Sequence, residues 1–209
     1  MHKLLLCLIT LVFFNAMFAQ TYFPPISFSV ALKSAADEGK IIFLQFEAAN
    51  CNHCNEVAEK GLSNKDLAEQ VASTFILIKI PADHPDRSQI ATRYNMNNKS
   101  AFGSLFIDHN GTLLHKFPAT TSNSKDYFKQ IDLAINKAGE SLKIDQLEKE
   151  YEGGNKSLGV LEQLLLHKKT LNLSTDKLLD EYVALLPEDS LKSIRTIVFI
   201  MQMLSLIHI

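Results

Sequence analysis

A chain of 209 residues that is 46% hydrophobic can bury one compact core with a smaller second unit beside it. Its 21 basic and 23 acidic residues leave a net charge of −2 and are spread along the sequence, so no basic stripe could neutralise a run of phosphates and nucleic acid is excluded as a partner. Trp is absent, Gly numbers only 8, and there is no GxGxxG, Walker-type loop or HExxH; nothing calls for a nucleotide or other cofactor.

The chain opens with His2 and Lys3, an apolar run from Leu4 to Phe14, and small residues at Ala16 and Ala19. That order reads as a secretory signal peptide over residues 1–19, cut between Ala19 and Gln20, with Met17 a poor fit to the cleavage pattern. A retained anchor is the rival reading, although Leu4 to Ala19 falls short of a spanning length; the membrane is a partner only in that case. The mature protein is therefore expected in the periplasm or outside the cell. Cleavage removes Cys7 and leaves Cys51 and Cys54. A bridge across a two-residue gap closes a very small ring and removes little entropy from the unfolded chain. Such a pair points to redox chemistry rather than to stapling.

After an extended lead-in from Thr21 to Pro25, Ser27 or Ser29 is expected to cap a helix running to Glu38, with Gly39 as its stop. The apolar run Ile41–Phe46 predicts a buried strand. A loop over Glu47–Asn50 leads to a helix opened by the two cysteines, and Ser63 with Asp66 predicts a capped helix ending near Ser73. Phe75–Ile80 reads as a second strand closed by Pro81, and Pro85 and Asp86 begin a helix to about Tyr94. A polar loop over Asn95–Ser100 follows. Ser104–Asp108 and Thr112–Phe117 predict two strands joined by His109-Asn110-Gly111, where Asn-Gly is a strong hairpin signal. Ser124–Lys137 is an amphipathic helix with Gly139 at its stop. The order α-β-α-α-β-α-β-β-α defines one α/β domain, residues 20–139.

From Glu140 the pattern is helical only. Leu142, Ile144, Leu147 and Tyr151 mark one helix ended by Gly153-Gly154, Leu158–His167 a second, and Ser174 caps a third that Pro187 ends. Asp189 or Ser190 begins a fourth. Residues 140–209 thus read as an extension of helical hairpins. The last residues, Leu204–Ile209, resemble translated sequencing adapter more than a natural terminus, so the natural chain is expected to continue with further helices.

The thiolate is the reactive form of cysteine, and a free thiol with a pKa near 8.5 is only slightly ionised at neutral pH. A helix N-terminus supplies partial positive charge and unpaired N–H donors that favour the anion. Cys51 is expected there, with Cys54 one turn on, so Cys51 can attack a disulfide and Cys54 can resolve the mixed disulfide. His53 lies between them and is the candidate to stabilise the thiolate and tune its poise. A metal site joining Cys51, His53, Cys54 and His84 is not expected: one triplet without a second CxxC or HxxxH is too thin.

Phe46, Ala48, Cys51 and Cys54 form Phe-x-Ala-x-x-Cys-x-x-Cys behind a buried strand, and with the element order this resembles the thioredoxin superfamily from about Ser27 to Gly139. The resemblance implies a mixed sheet flanked by helices, with Cys51 as nucleophile, Cys54 as resolving cysteine, and protein thiols or disulfides as clients alongside a separate redox partner. It also implies client binding by the loop Ala101-Phe102-Gly103. The helical extension is similar to those of some exported bacterial relatives. Three positions depart from the pattern. Asn50 stands where the family has Trp, and Gln45 where it has a buried Asp. Glu47 is the nearest carboxylate, expected to point to the opposite side if the strand reaches it. Phe102 takes the place of the cis-proline, and its preceding peptide is expected to be trans, because a cis bond there costs ~2.5–4 kcal/mol. Two functions follow: a thiol–disulfide oxidoreductase, or a non-catalytic interaction module whose extension is the contact surface.

Overall fold

The computed structural model describes residues 23–24, 26–96 and 102–204; the expected signal segment, the loop 97–100, Ala101 and the final residues 205–209 lie outside them. The elements are α1 (Phe28–Glu38), β1 (Ile41–Phe46), α2 (Asn52–Leu62), α3 (Lys65–Thr74), β2 (Phe75–Ile80), α4 (Arg87–Arg93), β3 (Gly103–Ile107), β4 (Leu113–Phe117), α5 (Ser124–Glu152), α6 (Leu158–Thr170), α7 (Asp176–Leu185) and α8 (Ile194–Leu204). Four strands make one mixed sheet in the order β2-β1-β3-β4. β1 runs parallel to β2 and antiparallel to β3, and β3 is antiparallel to β4.

Every residue of β1 is buried, as its unbroken apolar run requires of a central strand covered on both faces. Ile42, Leu44 and Phe46 face α1 and α4 through Phe28, Ala31, Ala35, Ile90 and Ala91. Ile41 and Phe43 face the other way, towards Leu62 of α2, Val71 of α3, and Tyr127 and Ile131 of α5. Two apolar layers therefore clamp the sheet. A third cluster, Leu161, Leu165, Leu179, Tyr182 and Met203, forms the core of the extension.

Local chemistry sets the ends. Ser27 caps α1, its hydroxyl accepting from the Val30 N–H, and Gly39 closes it in the left-handed region. α3 is capped by Asn64, whose Oδ1 accepts from Leu67 N–H at 3.0 Å, and not by Ser63. The β3–β4 turn is built by Asp108, whose Oδ1 accepts from the N–H groups of Asn110 and Thr112. Only Gly111 has positive φ there (80°), so the loop is a three-residue turn with a left-handed glycine rather than a tight two-residue Asn-Gly turn.

Gly139 does not stop a helix. α5 runs unbroken for 29 residues from Ser124 to Glu152, so the expected boundary at 139/140 falls inside one element. A helical glycine costs only about 1 kcal/mol against alanine, and burial of Ala134, Ser141 and Ile144 on either side holds the helix through it. In the extension, Thr175 rather than Ser174 is the cap residue of α7, and the fourth helix begins at Ile194 after a short 3-10 turn over Ser190–Lys192.

Candidate redox site

β1 ends at Phe46, and the chain crosses a short loop to α2, where Cys51 is the N-cap residue. Cys51 and Cys54 are joined by a disulfide with a Cα–Cα distance of 5.2 Å, both partly exposed. The Cys54 N–H is shared between the Cys51 carbonyl at 3.0 Å and Cys51 Sγ at 3.2 Å, so an amide of the first helical turn points at the sulfur even in the oxidised form. α2 is an 11-residue helix, long enough for its dipole to add partial positive charge at that sulfur. Cys51 thus stands at the helix N-terminus with Cys54 one turn on, the placement expected from their spacing.

His53 is placed differently. Its side chain is 85% exposed and faces Glu56, with Nδ1 4.0 Å from the carboxylate, and no hydrogen bond joins it to either sulfur. Of the expected client loop, Phe102 is partly exposed and Gly103 is buried at the start of β3; Ala101 lies outside the described residues. No peptide bond is cis among the described residues. Gly103 has a φ of 96°, and a Cβ there would stand 2.3 Å from the Phe117 carbonyl oxygen, so glycine is required by both backbone and space. His84 is not aimed at the cysteines: its Nδ1 accepts from the Asp86 N–H, which leaves Nε2–H to donate to the Ile26 carbonyl. Among the described residues no group of three His, Cys, Asp or Glu could hold a metal ion.

Gln45 is buried, as its place on the central strand demands, and is hydrogen-bonded: its Oε1 accepts from Ser104 Oγ at 2.7 Å and its Nε2 donates to the Phe46 carbonyl. Glu47 does not point to the opposite side. Strand residues two apart share a face, and Gln45 and Glu47 line the same cleft of about 530 Å³ beside α2, together with Asn55, Glu59 and Lys79. Glu47 Oε1 lies 2.6 Å from Lys79 Nζ, with Glu59 at 3.6 Å. The hydrogen bond to Glu47 raises the Lys79 ammonium above its ordinary value, against the desolvation that would lower it.

Asn55, which sequence reasoning passed over, and Arg87, which it read as a solvated helix-opening residue, hold the loop before Cys51. Asn55 Oδ1 accepts from Ala48 N–H at 2.8 Å, and its Nδ2 donates to the Ala48 carbonyl at 3.2 Å. Arg87 is buried rather than solvated: its guanidinium donates to the carbonyls of Ile80, Pro81 and Glu47 and sits 5.2 Å over the Phe46 ring. An amide side chain just after the second cysteine was the available signal for Asn55. Arg87 follows Pro85-Asp86 as an ordinary helix-opening residue would, and no spacing betrays it.

Sheet order and flanking helices give a thioredoxin-like fold, with the CxxC at the N-terminus of α2. Residues 25–108 match the family model described as thioredoxin-like. Among solved structures, a candidate disulphide-isomerase from Bacteroides thetaiotaomicron is similar at 20% identity, covering 56% of this chain and 93% of that one with a TM-score of 0.47. A thioredoxin from Thermus thermophilus is similar at 17% identity, covering 58% and 91% with a TM-score of 0.48. A DsbH oxidoreductase is similar at 16% identity, covering 58% and 90% with a TM-score of 0.46. No curated protein matches the chain.

Proposed function

We propose that the protein is a thiol–disulfide oxidoreductase acting on protein dithiols or disulfides outside the cytoplasm. The observation that carries this reading is the Cys54 N–H donating to Cys51 Sγ at the N-cap of α2. In the reducing direction, the Cys51 thiolate attacks one sulfur of a client disulfide. A Cys51–client bond forms, the client bond breaks, and the other client sulfur leaves as thiolate. Cys54, deprotonated, then attacks Cys51 Sγ, the mixed disulfide breaks, and the client departs with two thiolates that take up protons. The client has gained two electrons and the protein has lost them, which leaves the Cys51–Cys54 bond seen here. The oxidising direction is the same sequence in reverse, with electrons passing on to a separate redox partner.

The N-terminal basic, apolar and small-residue order supports export. No helix among the described residues is long and apolar enough to cross a membrane. One observation favours the second reading, a non-catalytic interaction module: Ile194, Ile197, Val198 and Met201 of α8 lie exposed in the extension.

Insulin-disulfide reduction and oxidation of a reduced client, each measured with wild type and with Cys51→Ser, separate the two. The oxidoreductase reading predicts that Cys51→Ser abolishes turnover and that Cys54→Ser accumulates a reducible mixed disulfide with the client. Equal rates in wild type and Cys51→Ser would leave only the interaction module.

A further inference from the structure

We infer that Asn55 is a positioning residue of the redox pair. With Arg87 as its anchor on the far side, it fixes the loop over 47–50 so that the Cys51 sulfur stays under the first-turn amide of α2. The inference rests on the oxidoreductase reading and names the residues that set the reactivity of its nucleophile.

The loop must turn from the end of β1 into α2, and nothing in its residues compels one path. Ala48, Ala49 and Asn50 carry no capping pattern, and Ala49 and Asn50 are exposed. Its path is imposed from outside. At the start, Glu47 N–H donates to the Ile80 carbonyl at 3.0 Å, continuing the ladder to β2, while Arg87 donates to the Glu47 carbonyl at 3.0 Å. One residue on, both peptide groups of Ala48 are taken by the single amide of Asn55. Only Ala49 and Asn50 then separate the fixed peptide from Cys51, whose carbonyl accepts from Cys54 and Asn55 N–H. Asn55 thus ties the loop to the same helical turn whose amide meets the sulfur.

This geometry matters because a hydrogen bond to sulfur weakens steeply as distance and angle degrade, and the helix field falls off within the first turn. A loop released at Ala48 lets Cys51 leave the N-cap position while the core clusters, which contain neither Asn55 nor Ala48, remain packed. The expected consequence is a change in thiolate poise without a comparable loss of fold.

The test uses the full chain, reduced, with the pH dependence of Cys51 alkylation by iodoacetamide as readout. Asn55→Ala is expected to move the alkylation midpoint upward by about half a pH unit or more, roughly a threefold loss of thiolate below the midpoint. Arg87→Lys keeps the charge but loses the fork that spans three carbonyls, and it is expected to move the midpoint in the same direction. Asn64→Ala removes the cap of α3, a comparable loosening away from the loop, and is expected to leave the midpoint where wild type has it. Folded Asn55→Ala and Arg87→Lys proteins whose profiles coincide with a depressed wild-type profile would overturn the positioning role and leave the oxidoreductase reading standing. A wild-type midpoint near that of a free thiol would remove both.

Discussion

Tyr127 is the largest fully buried side chain, and its hydroxyl makes no hydrogen bond of normal geometry among the described residues. Burial pushes its ionisation up to about 12, offset only in part by the neighbouring Thr121 backbone. The ring is held tightly, since a Cβ on Gly61 of α2 would stand 2.6 Å from it. An unpaired buried hydroxyl costs desolvation and returns nothing, so Tyr127→Phe is expected to be neutral or to stabilise by up to about 1 kcal/mol in denaturant unfolding. A loss well beyond that would reveal a partner for the hydroxyl. Gln45 shows the opposite treatment: its amide is satisfied by Ser104 and the Phe46 carbonyl, which makes a neutral residue tolerable at the centre of the sheet.

At the scale of elements, α5 joins the sheet to the extension. Its first half packs on the sheet through Tyr127, Ile131 and Ala134, and its second half docks both the β3–β4 turn and α6. Ser141 Oγ donates to Asp108 Oδ2 at 2.5 Å, and Asn110 donates to Asp145. Glu140 Oε2 meets His167 Nδ1 of α6 at 2.5 Å, and its Oε1 accepts from Lys143 at 2.8 Å. Lys143 and then His167 hold the Glu140 carboxyl below its ordinary value. A depressed folded-state pKa means stability that is fully present above the unfolded value and is lost as pH falls through the folded one. Glu140→Gln is therefore expected to lower stability by about 0.5–1 kcal/mol at neutral pH, with the difference from wild type vanishing in acid. Urea midpoints at pH 7 and pH 3 check this, and a difference that persists unchanged in acid would contradict it. The strands, α1 and the helix opened by Cys51 were legible because apolar runs and cap residues are local signals. The continuity of α5 was not, because Gly139 weakens a helix by an amount that tertiary burial easily exceeds. In the site, the cysteines were legible from spacing. The contacts of Asn55 and Arg87 were not, since both meet backbone groups that only the folded loop brings within reach.

For the whole molecule, the buried face of one continuous helix, from Tyr127 to Leu147, shares a single apolar cluster with Val160 and Leu164 of α6, which implies that the sheet and the first helices of the extension resist separation. Limited proteolysis of the full chain is expected to cut first around Pro187–Ser193, where residues are mostly exposed and lie outside α-helix, or at Gly153–Ser157, and not at Gly139. An early cut at 139 would show that α5 opens there. The proposed redox chemistry requires a sulfur whose anion the helix terminus favours. Alkylation of the reduced wild-type chain against pH measures this most directly. A Cys51 midpoint within about 3.5–7.5, the range of thiols activated in this setting, is expected, whereas a midpoint near 8.5, that of an ordinary cysteine, would contradict an activated sulfur.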